Sequence, residues 1–347
     1  MREILQPMRE WFDVGKPVAL ARVVETYGSA PRGLGAKMAV NQDSLMAGSV
    51  SGGCVEGAVV GEALQVLKTG KPKLLHYGVT HDQAISVGLA CGGTIEVWVE
   101  KLTSDAFSRM EKDLLDDRLA MIVTIINGAQ AGEQLYVYPD GHILGELSNA
   151  EVFARVKGTL SEVFQSQHSQ RKSIQVREQE IEVFFDILAP SPKLIIVGAV
   201  HIAIPLVHFA KILGFHTTVV DPRKAFGNAE RFPHVDRLVQ EWPQEFLQFF
   251  AWDQGTYLVV VSHDDKLDVP ALEIACKNEA RYIGALGSKK TFANHVRNLQ
   301  AAGLSDAQIA RIHSPIGIDI GARGPEEIAL SIISEMAAVR NGKKLRK

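Results

Sequence analysis

The stretch Leu194-Ile195-Ile196-Val197-Gly198-Ala199-Val200-His201-Ile202-Ala203 decides how this chain is read. Its first four residues form a continuous apolar run rich in β-branched side chains, the pattern of a parallel strand buried on both faces. Gly198 turns the chain. Ile202, Leu206, Phe209, Ala210 and Leu213 then recur at helical spacing, with Pro205 in the first turn, where a missing N–H costs little. Gly214 ends that helix, and His216 to Val220 reads as the next strand. Tyr257 to Val261 and Arg281 to Leu286 repeat the strand pattern. Pro325 opens a last helix with Glu326 and Glu327 at its positive end and Ile328, Ile332, Met336 and Val339 on one face. Strands alternating with helices in this way predict an α/β fold with a doubly wound parallel sheet.

Upstream the pattern changes to a mixed α+β module. Val18 to Val24, Ala36 to Val40, Thr94 to Glu100, Leu119 to Ile126, Gln134 to Tyr138 and Ile143 to Gly145 read as strands, with Asp140-Gly141 as a hairpin turn. Val55 to Leu67 reads as a helix with Val55, Val59, Ala63 and Val66 on one side. Gln165 to Glu180 is the most polar stretch and is expected to be an exposed excursion. A strand at Ile181 to Ile187 follows it, and Ala189-Pro190-Ser191-Pro192 interrupts periodic structure. The expected organisation is therefore a glycine- and cysteine-motif domain over 1–188, a Rossmann-like domain over 192–341 and a basic tail over 342–347.

A chain of 347 residues with 46% hydrophobic residues has ample core for about two domains. Lys plus Arg number 37 against 40 Asp plus Glu, a net charge of -3, which argues against a nucleic-acid partner. Three scattered cysteines, Cys54, Cys91 and Cys276, form neither a disulfide framework nor a C-x-x-C zinc pair. There is no apolar signal core at the N-terminus and no run able to span a bilayer, so a soluble cytoplasmic protein with reduced thiols is expected.

In the α/β half, a dinucleotide fingerprint wants G-x-G-x-x-G or Ala after the first strand. Gly198 and Ala203 fit, but Val200 replaces the glycine that lets backbone approach a pyrophosphate. Asp221 closes the next strand at about the 20-residue offset of a ribose-binding acid. His201, the Ser262-His263-Asp264-Asp265 loop, the Gly284 to Lys290 turn with Gly287, Ser288 and Lys289, and the His313 to Gly321 segment should gather at the carboxyl edge of the sheet. A nucleotide of the NAD(P) type is one ligand such an edge serves. A scaffold used for packing is the other reading.

The first half carries two glycine-cysteine motifs. Ser51-Gly52-Gly53-Cys54-Val55-Glu56 puts Cys54 at a helix N-terminus, where free N–H groups favour a thiolate and attract anions. Gly88-Leu89-Ala90-Cys91-Gly92-Gly93 precedes a strand, so Cys91 is either a second active thiol or a packed residue. Gly28-Ser29-Ala30-Pro31-Arg32 adds a glycine turn, and Arg32 and Lys37 add cations. The set suits a bulky anionic ligand with a sulfur beside it.

These motifs, together with Tyr282-Ile283-Gly284-Ala285-Leu286-Gly287-Ser288 and Pro315-Ile316-Gly317-Ile318-Asp319-Ile320-Gly321, closely resemble the XdhC/CoxI family, and the resemblance runs almost end to end. It departs at Val200, where relatives carry glycine, and at Gly324, where they often carry threonine. The resemblance implies an accessory factor that binds molybdenum cofactor, assists its sulfuration and inserts it into an apo xanthine dehydrogenase-type hydroxylase. This is a carrier rather than a turnover enzyme, with a cysteine desulfurase as a further partner and a homodimer as the expected assembly. Cys54 is then the expected metal ligand. Cys54, Cys91, His263 and Asp264 are the expected reactive groups. Arg32, Lys37, Ser51, Gly52, Gly53, Gly92, Gly93, Gly198, His201, Asp221, Gly284, Gly287, Ser288 and Lys289 are expected to line cofactor. An NAD(P)-dependent oxidoreductase using the second domain is the competing reading.

Overall fold

The computed structural model describes residues 1–28, 32–78 and 93–343. The chain divides into two compact units, Met1–Pro190 and Ser191–Lys347.

The first unit is built on two antiparallel sheets. After helix α1 (Arg2–Asp13) come β1 (Val18–Tyr27), β2 (Lys37–Asn41), β3 (Met46–Gly48), helix α2 (Glu56–Thr69), β4 (Lys73–Tyr77) and β5 (Thr94–Leu102). These strands pair in the order β3-β2-β1-β5-β4. Helix α3 (Ser104–Leu115) leads to β6 (Ala120–Ile125), β7 (Gln134–Val137) and β8 (Ile143–Gly145). Helix α4 (Ala150–Ser166), β9 (Gln170–Val176) and β10 (Gln179–Leu188) complete a second sheet ordered β8-β7-β6-β10-β9. The polar stretch expected as an excursion is instead the end of α4, strand β9 and the turn into β10, while the strand expected at Ile181 to Ile187 is β10. Ile174 and Val176 are buried on its inner side while glutamines and charges face out.

Strand β1 is buried on both faces, which explains its near-continuous apolar run. Ala19, Ala21 and Val23 pack with Val55, Val59, Ala63 and Val66 of the α2 segment. Leu20 packs on the other side with α1, α3 and the second sheet. Arg22 also points to that side and is fully buried. It pairs with Glu100 of β5 and lies 3.5 Å from Asp186 of β10, which also binds Lys37 Nζ at 2.8 Å. Charges taken out of water this way hold only as a complete set. The set ties one sheet to the other.

The second unit is a six-stranded parallel sheet. It comprises β11 (Lys193–Val197), α5 (Ala203–Ile212), β12 (His216–Val220), β13 (Arg237–Val239), α6 (Pro243–Leu247) and β14 (Thr256–Val260). Then follow α7 (Asp265–Lys277), β15 (Tyr282–Ala285), α8 (Lys289–Ala301), α9 (Asp306–Ile309), β16 (Ile312–His313) and α10 (Pro325–Arg340). The strand order β13-β12-β11-β14-β15-β16 is that of a Rossmann fold, with its switch point between β11 and β14. The expected α/β class holds, mixed module first. Among the described residues, no helix is long and apolar enough to cross a membrane.

Replacing Asp186 with Ala leaves Lys37 and Arg22 short of a partner in the interior. We expect a loss of about 3–5 kcal/mol, read as a lower urea midpoint, with partial recovery in the Asp186→Leu, Lys37→Met double variant.

Candidate functional site

Helix α2 begins at Glu56, with Val55 as its N-cap, and the preceding turn runs through Gly52 at φ 111° and Gly53 at φ 119°. Those backbone angles suit glycine alone. They aim a fan of donors inward, and the Glu56 carboxylate receives them. Ser49 Oγ donates at 2.6 Å, Ser51 N–H at 2.9 Å, Ser51 Oγ at 2.7 Å, Gly52 N–H at 2.9 Å, Gly53 N–H at 2.8 Å and Val55 N–H at 3.2 Å. Burial alone would raise the Glu56 pKa. The Ser49, Gly52 and Ser51 donors outweigh it and hold the carboxyl far below the usual range.

This corrects the expected role of Ser51, Gly52 and Gly53. Their donors are not left for an incoming anion, because the protein's own carboxylate occupies the cradle. The cradle instead fixes the loop that presents Cys54, which is half-buried against the α2 side of the first sheet.

The two expected cations differ in availability. Lys37 is buried on Asp186 and the Gly35 carbonyl, so it cannot reach a ligand without breaking the joint between the sheets. Arg32 donates from Nε to Ser49 O at 3.2 Å, which links it to the Cys54 loop, and pairs through Nη2 with Glu3 at 2.6 Å. That pair is solvent-exposed and therefore weak. Gly93 is buried at the entrance to β5. Cys91 and Gly92 lie outside the described residues. His76 of β4 pairs with Glu96 at 3.1 Å.

In the second unit, Gly198 (φ 104°) is required by packing, since a Cβ there would sit 2.6 Å from Ser262 Cα. The close approach is made by the protein's own chain. Asp221 is fully buried, and its carboxylate accepts from Ala199 N–H at 2.8 Å, Arg223 N–H at 2.9 Å, Arg223 Nε at 2.9 Å and Arg223 Nη2 at 2.7 Å. Burial would raise its pKa, but Arg223 and the two backbone donors lower it. No acid is left there for a ribose hydroxyl, and Val200 packs against the apolar core. Arg223, not foreseen from the sequence, faces outward over the Phe226 ring at 4.3 Å.

Asp264 caps α7 by accepting from Lys266 N–H at 3.0 Å, a structural use of an expected reactive group. His263 is exposed in a left-handed conformation, φ 58°. Buried Asp268 bonds to Ser262 Oγ, and burial pushes its carboxyl up to about 6. Gly284 is a packing glycine, since a Cβ would lie 2.4 Å from Ile316 Cδ1. Ser288 caps α8 by accepting from Thr291 N–H at 3.1 Å, between Gly287 and exposed Lys289. His201 is exposed in the turn before α5. Buried Glu335 joins Tyr282 OH at 2.6 Å, His313 Nδ1 at 3.0 Å and Gly317 N–H at 2.7 Å. Gly198, Asp221 and Ser262 thus meet at the switch point, and the Gly284 group forms a second knot. Among the described residues, no group of three or more His, Cys, Asp or Glu is arranged to hold a metal. Of the residues missed in the sequence, Glu56 had a signal: an acid in the first turn of a helix that follows a glycine pair. Asp268 and Glu335 had none.

Residues 194–336 match the family model for the XdhC Rossmann domain, and residues 11–78 match that for the XdhC and CoxI family. The chain is 29% identical over 325 residues to a Bacillus subtilis (strain 168) protein named as a probable xanthine dehydrogenase subunit, covering 92% of each. It is 27% identical over 340 residues to the molybdenum cofactor insertion chaperone PaoD of Escherichia coli (strain K12), covering 98% of this chain and 88% of that one. A crystal structure described as a xanthine dehydrogenase from Bacillus halodurans superposes with a TM-score of 0.78 at 25% identity, covering 98% of this chain and 96% of that one.

A carboxyl whose pKa is lowered on folding stabilises the protein above the unfolded carboxylate range, near 4.3, and the benefit fades as pH falls below it. Glu56→Gln should therefore cost at least about 1.5–3 kcal/mol at pH 7, the value of one charge-assisted hydrogen bond. The gap from wild type should narrow below pH 4 in urea titrations run across pH.

Proposed function

The chain belongs to the XdhC and CoxI family, and on that premise we propose that it is an accessory factor for a xanthine dehydrogenase-type hydroxylase. In this reading it binds molybdenum cofactor as cargo, assists its sulfuration and inserts it into the apo-enzyme. The naming of one relative as a molybdenum cofactor insertion chaperone and of another as a probable xanthine dehydrogenase component supports this reading. The observation that carries it within the molecule is the Cys54 loop, wound around the Glu56 carboxylate so that a half-buried thiol has a fixed position.

The cargo is an anionic pterin whose dithiolene sulfurs hold the metal. The Cys54 thiolate is a soft ligand suited to such a metal. Arg32 is the cation suited to the cargo's phosphate, because it is already bound to the loop at Ser49 and gives up only an exposed pair with Glu3. Gly53 leaves open space beside the thiol, since a Cβ there would meet nothing within 4 Å. Residues 1–188 are proposed as the cargo-holding domain. The Rossmann-like domain over 192–341, with Gly198, His201, His263, Gly287, Ser288 and Lys289 on its carboxyl edge, would serve recognition of the apo-hydroxylase or a desulfurase. A homodimer would match a dimeric recipient. The NAD(P)-dependent reading loses its ribose acid to Arg223 and Ala199.

Purified, reduced protein mixed with released molybdenum cofactor and passed through gel filtration should retain close to one molybdenum and one pterin per chain. Cys54→Ala should weaken retention at least tenfold, and Arg32→Gln by a smaller factor. Equal retention by wild type and Cys54→Ala would remove the thiol from the site.

A further inference from the structure

The face of the first sheet turned away from α2 carries a feature that the cofactor reading does not use. Ala19, Ala21 and Val23 of β1 point towards α2, whereas Leu20 and Arg22 point to the opposite side. There a cleft of about 300 Å³ opens between the two sheets and α3. That volume is at the lower end of small-molecule sites. An adjoining cleft of about 360 Å³ shares Glu100, Leu102, Thr103, Ala106 and Gln134 with it, so the groove continues past Gly132.

The lining is divided by chemistry. Leu20, Leu102, Ile122, Leu144 and the Tyr136 ring make an apolar floor. On the wall, the Glu100 carboxylate is saturated by Arg22, Trp98 Nε1 at 2.8 Å and Gln134 Nε2 at 2.7 Å. It has no appetite left for a ligand donor. Gln134 spends its amino group on Glu100 and Thr124, which leaves its carbonyl oxygen without a partner among the described residues. Arg109 is the arginine of the cleft lining, besides buried Arg22, that brings a cation to this wall. It has no hydrogen bond or ion pair among the described residues, and its guanidinium lies 5.5 Å from the centre of the Tyr136 ring. A cation beside an aromatic shelf at the mouth of an apolar cleft is an arrangement for an anion with a flat apolar body. Asp105, one helical turn before Arg109, sets an opposing charge on the rim. That selects a single negative charge over a polyphosphate.

We propose that this cleft is a second binding site, for a small organic monoanion whose charge meets Arg109 and whose ring system lies on Tyr136 and the leucine floor. It is separate from the Cys54 loop, on the opposite face of β1, and does not depend on the cofactor reading.

The test uses the full chain and two dyes of one skeleton. 8-Anilinonaphthalene-1-sulfonate carries the anion, and N-phenyl-1-naphthylamine lacks it. Fluorescence titration should show saturable binding of the sulfonate at close to one per chain, and weaker binding of the neutral dye. Arg109→Gln should weaken the sulfonate at least tenfold without changing the neutral dye, and Leu144→Trp should block both. Thermal melts followed by circular dichroism should confirm that the variants fold, and Cys54→Ala should bind the dye as wild type does. Absence of saturable sulfonate binding would overturn the proposal, as would equal affinities in wild type and Arg109→Gln.

Discussion

Buried carboxylates that collect the open donors of glycine-rich turns hold this molecule's loops in place. A glycine turn exposes N–H groups that must find acceptors once water is excluded. Glu56 gathers those of Ser51, Gly52, Gly53 and Val55. Asp221 gathers those of Ala199 and Arg223, and Glu335 takes that of Gly317. Each of the three is held below the usual carboxylate range by its donors despite burial. The same solution thus serves an antiparallel module and a parallel sheet.

The consequence is that the donors of these turns serve rigidity. The Gly52-Gly53 turn has the look of an anion cradle, but its anion is part of the chain. In the proposed reading, a cargo is left the thiol that the cradle positions and Arg32, whose present partner is exposed and weakly held. The ion set of Arg22, Lys37 and Asp186, buried, with the largely buried Glu100, follows the same logic on a larger scale, because it joins two sheets through charges that have little access to solvent.

The four central strands of the parallel sheet were legible, since strands buried on both faces must be apolar throughout, whereas the short edge strands β13 and β16 were not. The helix after the Gly-Gly-Cys motif was legible for the same kind of reason, through Val55, Val59, Ala63 and Val66. Strand β10 was legible as Ile181 to Ile187, but its partner β9 was not, because an edge strand such as Gln170–Val176 buries only alternate residues and its glutamines and charges dominate the local composition. At the candidate site, the sequence shows which groups are present but not their partners. Sequence shows that Lys37 and Asp221 are charged, but their neighbours Asp186 and Ala199 arrive from distant positions or through the backbone. Pairings of that kind carry no periodicity. The proposed cargo comes from the resemblance to a family, because no spacing of residues specifies a cargo.

Molybdenum X-ray absorption on the loaded protein addresses the central claim directly, provided the cofactor is supplied in its oxo form so that its dithiolene brings the only sulfurs of its own. The account predicts a third sulfur on the metal in wild type, at a thiolate distance, and its loss in Cys54→Ser. Two sulfurs in both proteins would contradict it.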